Sequence, residues 1–503
     1  MAQLIIEKCC YILSAKPQQI KQKCSKAHIS SSTILADKDA TVTAKDVRID
    51  GKDNIYRENI TQESKTTGLT VSFSHGLLDL GQSLSAPLSR IGEVQDDRLK
   101  AVYAWQTGRM IHDAFKKNPL TNATFSLNVS FGTSKSYSRM ENTTHEYAGS
   151  RIASGGNTNV TAGERDLTVK GSAITGTDVS LSAKGNVRLE AGENSNVTTT
   201  ENKFSSASIG ASFTPHGLSN ISVNASKGNG NSKESLTAYS PTLVVAENNL
   251  SLTSGKDMDI IGSKAQGEKI TAKVGGNLNI ETLQEKETYE EDNHSTGFGV
   301  SWDVNFFDKT TDKLVAPGSK NAYRKFSMPN IGGSFSKGNI DSHYRSAREQ
   351  AGFFAGNGGF DIYVEKNTDL KGGVIASNAT PDKNILSTET FSFSDLKNEA
   401  NYSAKNIGAS YHKYGNYDHM SEDEQDKVYN TKGLAPNLSM PVKGNADSTT
   451  RSAIAPASID IRENPTQDIS ALSRDTANSL NELGKIFDKA KIEEQQELTA
   501  VFG

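Results

Sequence analysis

The feature that most constrains this chain is a repeat. Gly171-Ser172 recurs as Gly262-Ser263, Gly176 as Gly267, Gly185-Asn186 as Gly276-Asn277 and Glu190 as Glu281, all at one offset of about 90 residues. Apolar positions keep the same offset: Val179 matches Ile270, Val187 matches Leu278 and Leu189 matches Ile280. A weaker copy runs from Asp369 to Phe393, and a degenerate first copy spans Ser32 to Ile49. A 503-residue chain assembled from such copies is expected to stack them into an elongated array with one continuous core.

Inside each copy, apolar and polar residues alternate, as in Leu167-Thr168-Val169 and Val179-Ser180-Leu181, the period of a strand with one buried face. Leu167/Val169 and Val187/Leu189 are successive turns of a finer repeat of roughly 20 residues, the length of one coil of a parallel β-helix. Composition agrees: 35% apolar and 7% aromatic residues are too few for several compact cores, and the pattern is too regular for a disordered chain. Glycine and asparagine fall at the corners, where a left-handed backbone and side-chain ladders suit them. The expected fold is mainly β, a right-handed parallel β-helix with flanking hairpins, an inserted helical segment and a C-terminal amphipathic helix.

Each pair of coils is followed by a different element: Asn59–Phe73, Glu193–Phe213, Leu283–Trp302 and Asn398–Tyr411. These end in strands of small residues, such as Thr296-Gly297-Phe298-Gly299-Val300-Ser301, and read as hairpins leaving the solenoid flank. Gly297, Phe298, Gly299, Val300 and Trp302 are the candidate exposed recognition ribbon. Ile91, Val94, Leu99, Val102, Trp105, Met110 and Ile111 recur near helical spacing, predicting helices against the solenoid side. Ile469, Leu472, Leu480, Leu483, Phe487, Leu498 and Val501 predict another helix, and Pro436, Pro441 and Pro456 mark a linker before it.

Lys and Arg number 55 against 59 Asp and Glu, so no overall positive field is expected to hold nucleic acid or anionic lipid. Cys9, Cys10 and Cys24 lie at the N-terminus without zinc-finger spacing, and His145-Glu146 lacks the second histidine of a metalloprotease helix. Gly356-Asn357-Gly358-Gly359-Phe360-Asp361 is a single imperfect copy of a calcium nonapeptide, better read as a coil corner. Glu190 and Glu281 sit at coil ends and read as solvated edge positions. No catalytic, cofactor or metal residues are expected. The structural anchors are Gly171, Gly176, Gly185, Asn186, Val187, Leu189, Gly262, Gly267, Gly276, Asn277, Leu278 and Ile280.

The units Gly185–Leu189 and Gly276–Ile280, the preceding Leu250-Ser251-Leu252-Thr253-Ser254-Gly255 and the ribbon at 297–301 resemble the hemagglutinin repeats of filamentous-hemagglutinin-like exoproteins of two-partner secretion, over about residues 28–411. The tail Ala477–Phe487 through Glu494–Leu498 resembles the helical segment preceding the toxin in contact-dependent growth-inhibition exoproteins. The resemblance implies a non-catalytic stalk on a bacterial surface, acting in adhesion or in delivery of a C-terminal toxin. It also implies an outer-membrane transporter as the secretion partner and a receptor or glycan on a target cell, with neither nucleic acid nor a small-molecule cofactor. The family's secretion domain and its Val-Glu-Asn-Asn toxin marker are not found in the sequence, and Ala246-Glu247-Asn248-Asn249 lies inside a repeat, so an internal segment without its own signal peptide is expected.

The expected division is a disordered leader at 1–27, a degenerate repeat at 28–76, a helical insertion at 77–121 and hemagglutinin-type repeats at 122–213, 214–302 and 303–411. A linker at 412–465 and a helical pre-toxin-like segment at 466–503 complete it. Two alternatives stand beside this reading: a carbohydrate-active β-helix enzyme, and a non-secreted remnant of a disrupted gene.

Overall fold

The computed structural model describes residues 25–74, 76–116, 126–420, 422–429, 432–439 and 441–502. The expected leader lies outside them up to residue 24, and Ala27–Ser30 already forms the first strand. From there the chain winds as a parallel β-helix with three strand faces per coil.

In-register stacks define the core. On one face the ladder runs Ile34, Ile152, Ile174, Val244, Ala265, Phe353, Ile375 and Ile454. On the second it runs Val42, Val160, Leu181, Leu252, Ala272, Ile362, Leu386 and Ile459. On the third it runs Ile29, Ile49, Val169, Leu189, Ile260, Ile280, Leu370 and Phe393. Most of these side chains are fully buried. Each such Val, Leu or Ile contributes roughly 1.5–3 kcal/mol, and only because a neighbouring coil covers it above and below. The 20-residue period is directly visible in the pairing of Leu167 with Val187.

One corner explains the 90-residue period. At alternate coils the third face passes to the first through a single left-handed residue: Ser31 (φ 46°), Gly171 (51°), Gly262 (57°) and Gly372 (59°). At the intervening coils a long hairpin leaves instead. The first pairs Lys52–Ser74 with Ser126–Ala148, and the second pairs Gly192–Thr214 with Gly217–Ser240. The third pairs Glu285–Asp308 with Asn330–Ser346, and the fourth pairs Leu396–Lys413 with Gly433–Leu438 and Val442–Thr450. Two coils and one hairpin make the unit.

Strand spacing gives the reason. Neighbouring strands lie about 4.8 Å apart in any sheet, so two coils advance by roughly the width of one two-stranded hairpin. A hairpin at every second coil therefore keeps pace with the solenoid, and successive hairpins pair edge to edge into one antiparallel sheet, ordered as in the sequence.

The other corners are held by side-chain ladders. Asp166 Oδ1 accepts the Asn186 backbone N–H (2.7 Å) and side-chain Nδ2 (3.2 Å), Asn186 Oδ1 accepts the Asp257 N–H (3.2 Å), and Asp257 Oδ1 accepts Asn277 N (2.8 Å) and Nδ2 (3.2 Å). The repeated glycines thus serve two purposes. Gly171 and Gly262 adopt a left-handed backbone, whereas a Cβ on Gly185 or Gly276 would stand 2.2 or 2.3 Å from the Asp166 or Asp257 carboxylate.

Several expected boundaries are corrected. The division at 213/214 cuts the second hairpin, and the ribbons are not separate hairpins but one sheet. The inserted helices are α1 (Gly76–Glu93, with Pro87 inside it) and α2 (Asp97–Lys116). They rise from the first hairpin's tip and, among the described residues, pack on each other and on the C-terminal helix rather than on the solenoid side. Residues 117–121 lie outside those described.

The expected linker, 412–465, holds the short helix α3 (Glu422–Tyr429), the last strands of the hairpin sheet and the final solenoid strands Ala453–Ile454 and Ser458–Ile461. Its prolines fit β structure because Pro436 lies on a sheet-edge strand and Pro456 between two solenoid strands, its carbonyl accepting Asn384 Nδ2 at 2.9 Å. In the tail only α4 (Lys489–Phe502) is helical. Residues before it run as a strap across the hairpin roots.

Candidate interaction surface

The site is built from the hairpin sheet, where residues paired across strands share a face. Register places Leu69, Phe131, Ile209, Val223, Val300 and Ile331 in one row across six strands. The adjoining row is Val71, Val129, Ala211, Ile221 and Trp302, and beyond it stand Phe73, Leu127, Phe213 and Leu218. On the solenoid side of these rows Phe298 is followed by Gly333, Tyr411 and Leu434. All these rows point the same way. Intervening positions carry Gly68, Gly132, Ser208, Asn224, Gly299 and Gly332, then Thr70, Ser130, Gly210, Ser222 and Ser301.

The outer half of the sheet is therefore apolar on one face and small and polar on the other. The apolar face is open: Phe73 is 77% exposed, Leu69 64%, Phe298 55% and Phe131 53%. A contiguous apolar face of this kind marks a contact surface, because soluble proteins seldom leave one bare.

The ribbon residues Gly297, Phe298, Gly299, Val300 and Trp302 lie on a central strand, paired to the second hairpin on one side and to Asn330–Ser346 on the other. Their backbone is not a free edge for strand addition. Only Phe298, Val300 and Trp302 face the apolar side. Their counterparts on other strands, such as Phe131 and Ile209, were not singled out by sequence, since facing is set by register between segments far apart in the chain.

A basic margin borders the apolar rows toward the solenoid. Lys65, Lys135 and Lys227 share one row, and Lys203, His294 and Lys337 the next, so six consecutive strands each contribute a basic residue to this face. All five lysines are exposed. Closer still to the solenoid the face becomes mixed, with Arg139, Glu141, Glu201, Lys233, Glu290 and Asp292 around a shallow groove.

The opposite face of the sheet's inner half is covered by the strap. Tyr344 Oη donates to the Leu483 carbonyl (2.7 Å), Leu483 N–H donates to Ser346 Oγ (2.9 Å), and Phe487 sits 5.3 Å from Tyr289 and 6.1 Å from Tyr402. Lys489 Nζ meets Glu291 at 2.5 Å. Burial pushes the Glu291 carboxyl up, but hydrogen bonds from Lys489 and Tyr289 outweigh it and hold the group below its ordinary range. On α4, buried Glu494 accepts the backbone N–H groups of Gln95 (2.7 Å) and Asp96 (2.8 Å), while Glu497 is clamped by Arg90 Nη2 (2.6 Å) and Tyr103 Oη (2.5 Å). The Arg90 guanidinium lowers the Glu497 carboxyl.

Elsewhere, polar groups serve structure. Glu281 pairs with Lys371 at 2.7 Å, and Glu190 stands at the root of the second hairpin, where its carbonyl accepts Thr242 Oγ1. His28 bonds Asp50 at 2.8 Å, and the three cysteines lie outside the described residues. Among the described residues no three His, Cys, Asp or Glu side chains are grouped to hold a metal.

Residues 129–296, from the first hairpin's returning strand to the third's outgoing one, match the hemagglutinin repeat. The chain carries hemagglutinin repeats. Over 94% of its length it is 31% identical to the tRNA nuclease CdiA of Yersinia mollaretii, of which it spans 16%, and 30% identical to the deoxyribonuclease CdiA of Yersinia pseudotuberculosis, of which it spans 43%. An Escherichia coli protein named toxin CdiA is 31% identical over 95% of the chain, which spans 15% of it. No solved structure matches. The resemblance to filamentous-hemagglutinin-like exoproteins thus extends beyond the matched repeat through nearly the whole chain, although the chain spans less than half the length of each of these relatives.

Proposed function

We propose that this hemagglutinin-repeat chain is the non-catalytic part of a surface exoprotein that seats it on a neighbouring cell and helps pass a C-terminal toxin into that cell. The observation that carries this reading is the open apolar face, a broad surface whose opposite side is polar and whose inner half is braced by the strap. An enzyme concentrates convergent polar groups in a cleft, whereas this chain displays a flat, greasy sheet on a rigid stalk. The relatives' names, toxin and nuclease, support a delivery role for a segment spanning only a fraction of each. An outer-membrane transporter would secrete the full exoprotein, and the target cell would supply the receptor or glycan.

The reading is tested by exchanging this segment into a toxin-delivering relative and counting surviving target cells. Inhibition by the chimera, lost when Leu69, Phe131 and Ile209 are changed to Asp while surface display is kept, is the expected result. A displayed chimera that inhibits equally with and without those changes would contradict it.

A further inference from the structure

Lys65 and Lys135 stand directly opposite each other on adjacent antiparallel strands, and neither has an ion-pair partner among the described residues. Like charges placed so are destabilising. Lys227 lies in the same row and Lys337 in the next, also without an ion-pair partner among the described residues. Lys203 is paired only with Glu201 beside it on its own strand, and rests over the Tyr137 ring. Across two rows and six strands, roughly 24 Å at ordinary strand spacing, Glu63 is the single acid. At the same level the other face carries Ser64, Ser136, Phe204, Gly228, Ser295 and Ser336, with no charge at all.

The self-repelling charge is thus confined to one face and one level, at the border of the exposed apolar rows. An apolar slab edged by lysines matches an amphiphile layer in both chemistries, acyl chains against Phe131, Ile209 and Val223 and anionic head groups against the lysines. Aliphatic stems on Lys65, Lys135 and Lys227 let the ammonium groups reach past the apolar rows to that level.

Resting on the proposed function, we infer that this margin reads phosphate: the sheet docks face-on to a bilayer bearing anionic phosphate head groups, with the lysine rows at the head-group level. Each lysine near such a surface strengthens binding by about fivefold at low salt, and the attraction fades as salt rises.

The full chain is mixed with vesicles of phosphatidylcholine alone and of phosphatidylcholine with phosphatidylglycerol, and bound protein is measured by flotation. Tighter binding to the phosphatidylglycerol vesicles is expected. The Lys65→Gln/Lys135→Gln/Lys227→Gln variant should lose that preference by on the order of a hundredfold, keep its binding to phosphatidylcholine and melt no lower than the parent. Equal binding of parent and variant to the anionic vesicles would overturn the lysine assignment while leaving the apolar docking face in place. Lysine-dependent capture by duplex DNA with no preference for anionic vesicles would overturn it as well. Failure to bind either vesicle would overturn the apolar docking face together with it.

Discussion

Thr242 Oγ1 donates a 2.7 Å hydrogen bond to the carbonyl of Glu190, joining the residue where the second hairpin returns to the strand from which it left. The same hydroxyl accepts the Ser172 N–H at 3.3 Å, and the relation repeats along the corner: Ser150 Oγ donates to the Asp50 carbonyl at 2.6 Å and accepts the Ser32 N–H at 3.1 Å. Ser452 Oγ donates to the Ser394 carbonyl at 2.7 Å. The three carbonyls also accept backbone N–H groups, from Gly171, Ser31 and Gly372, so the hydroxyls give each a second donor, while Thr242 and Ser150 supply the acceptor for the Ser172 and Ser32 N–H groups.

Replacing Thr242 by Val keeps its shape and removes the hydroxyl. The buried Ser172 N–H then loses its acceptor, at a cost of about 1–3 kcal/mol, while the Glu190 carbonyl keeps the Gly171 N–H, and Thr242→Ser stays close to the parent. Urea unfolding of the two variants checks this, and equal loss in both would show that packing rather than the hydroxyl matters.

Acid should loosen the strap. Arg90 holds the Glu497 carboxyl low, and Lys489 and Tyr289 do so for Glu291 against the opposing effect of burial. A carboxyl depressed in the folded state stabilises it above the ordinary value of about 4.3, and that contribution disappears as pH falls through the lower folded value. The melting temperature of the parent should therefore exceed that of Glu291→Gln/Glu497→Gln at pH 7, and the gap should close below about pH 4. A gap independent of pH would rule out this linkage.

The two-coil unit should be removable. Deleting residues 171–261 joins Lys170 to Gly262, which supplies the same left-handed corner as Gly171, and removes two coils with one hairpin. Sheet register survives, since Ala207 and Phe298 already share a row. Deleting the hairpin alone, residues 192–240, leaves a two-strand gap against an unchanged solenoid. The first deletion should unfold in a single cooperative transition and the second should not, as read by circular dichroism during heating.

The solenoid was legible in sequence because its contacts are close in the chain: Leu167 meets Val187 one coil later, and the glycine corners recur at the unit length. The hairpin sheet was only half legible. Alternation in Gly297-Phe298-Gly299-Val300 shows a two-sided strand, but its place between Ala225 and Gly333 depends on matching the rise of coils to the width of hairpins. The tail misled for another reason. Leu472, Leu483 and Phe487 fall near helical spacing, yet Leu472 closes the end of the solenoid core, Leu483 bonds to Ser346 and Tyr344 through its backbone, and Phe487 rests on Tyr289. Tertiary partners overrode a local period.

The central claim is that one face of the hairpin sheet makes the contact, and adjacent residues on the same strands test it. Phe131→Asp/Ile209→Asp changes the apolar face, and Ser130→Asp/Ser208→Asp changes the polar face of the same two strands. Binding of each full-length variant to phosphatidylcholine vesicles, which carry no net charge to repel the new carboxylates, is the direct measurement. The account predicts a loss of more than about tenfold for the first pair and little change for the second. Equal loss in both, or loss in the second alone, would contradict it.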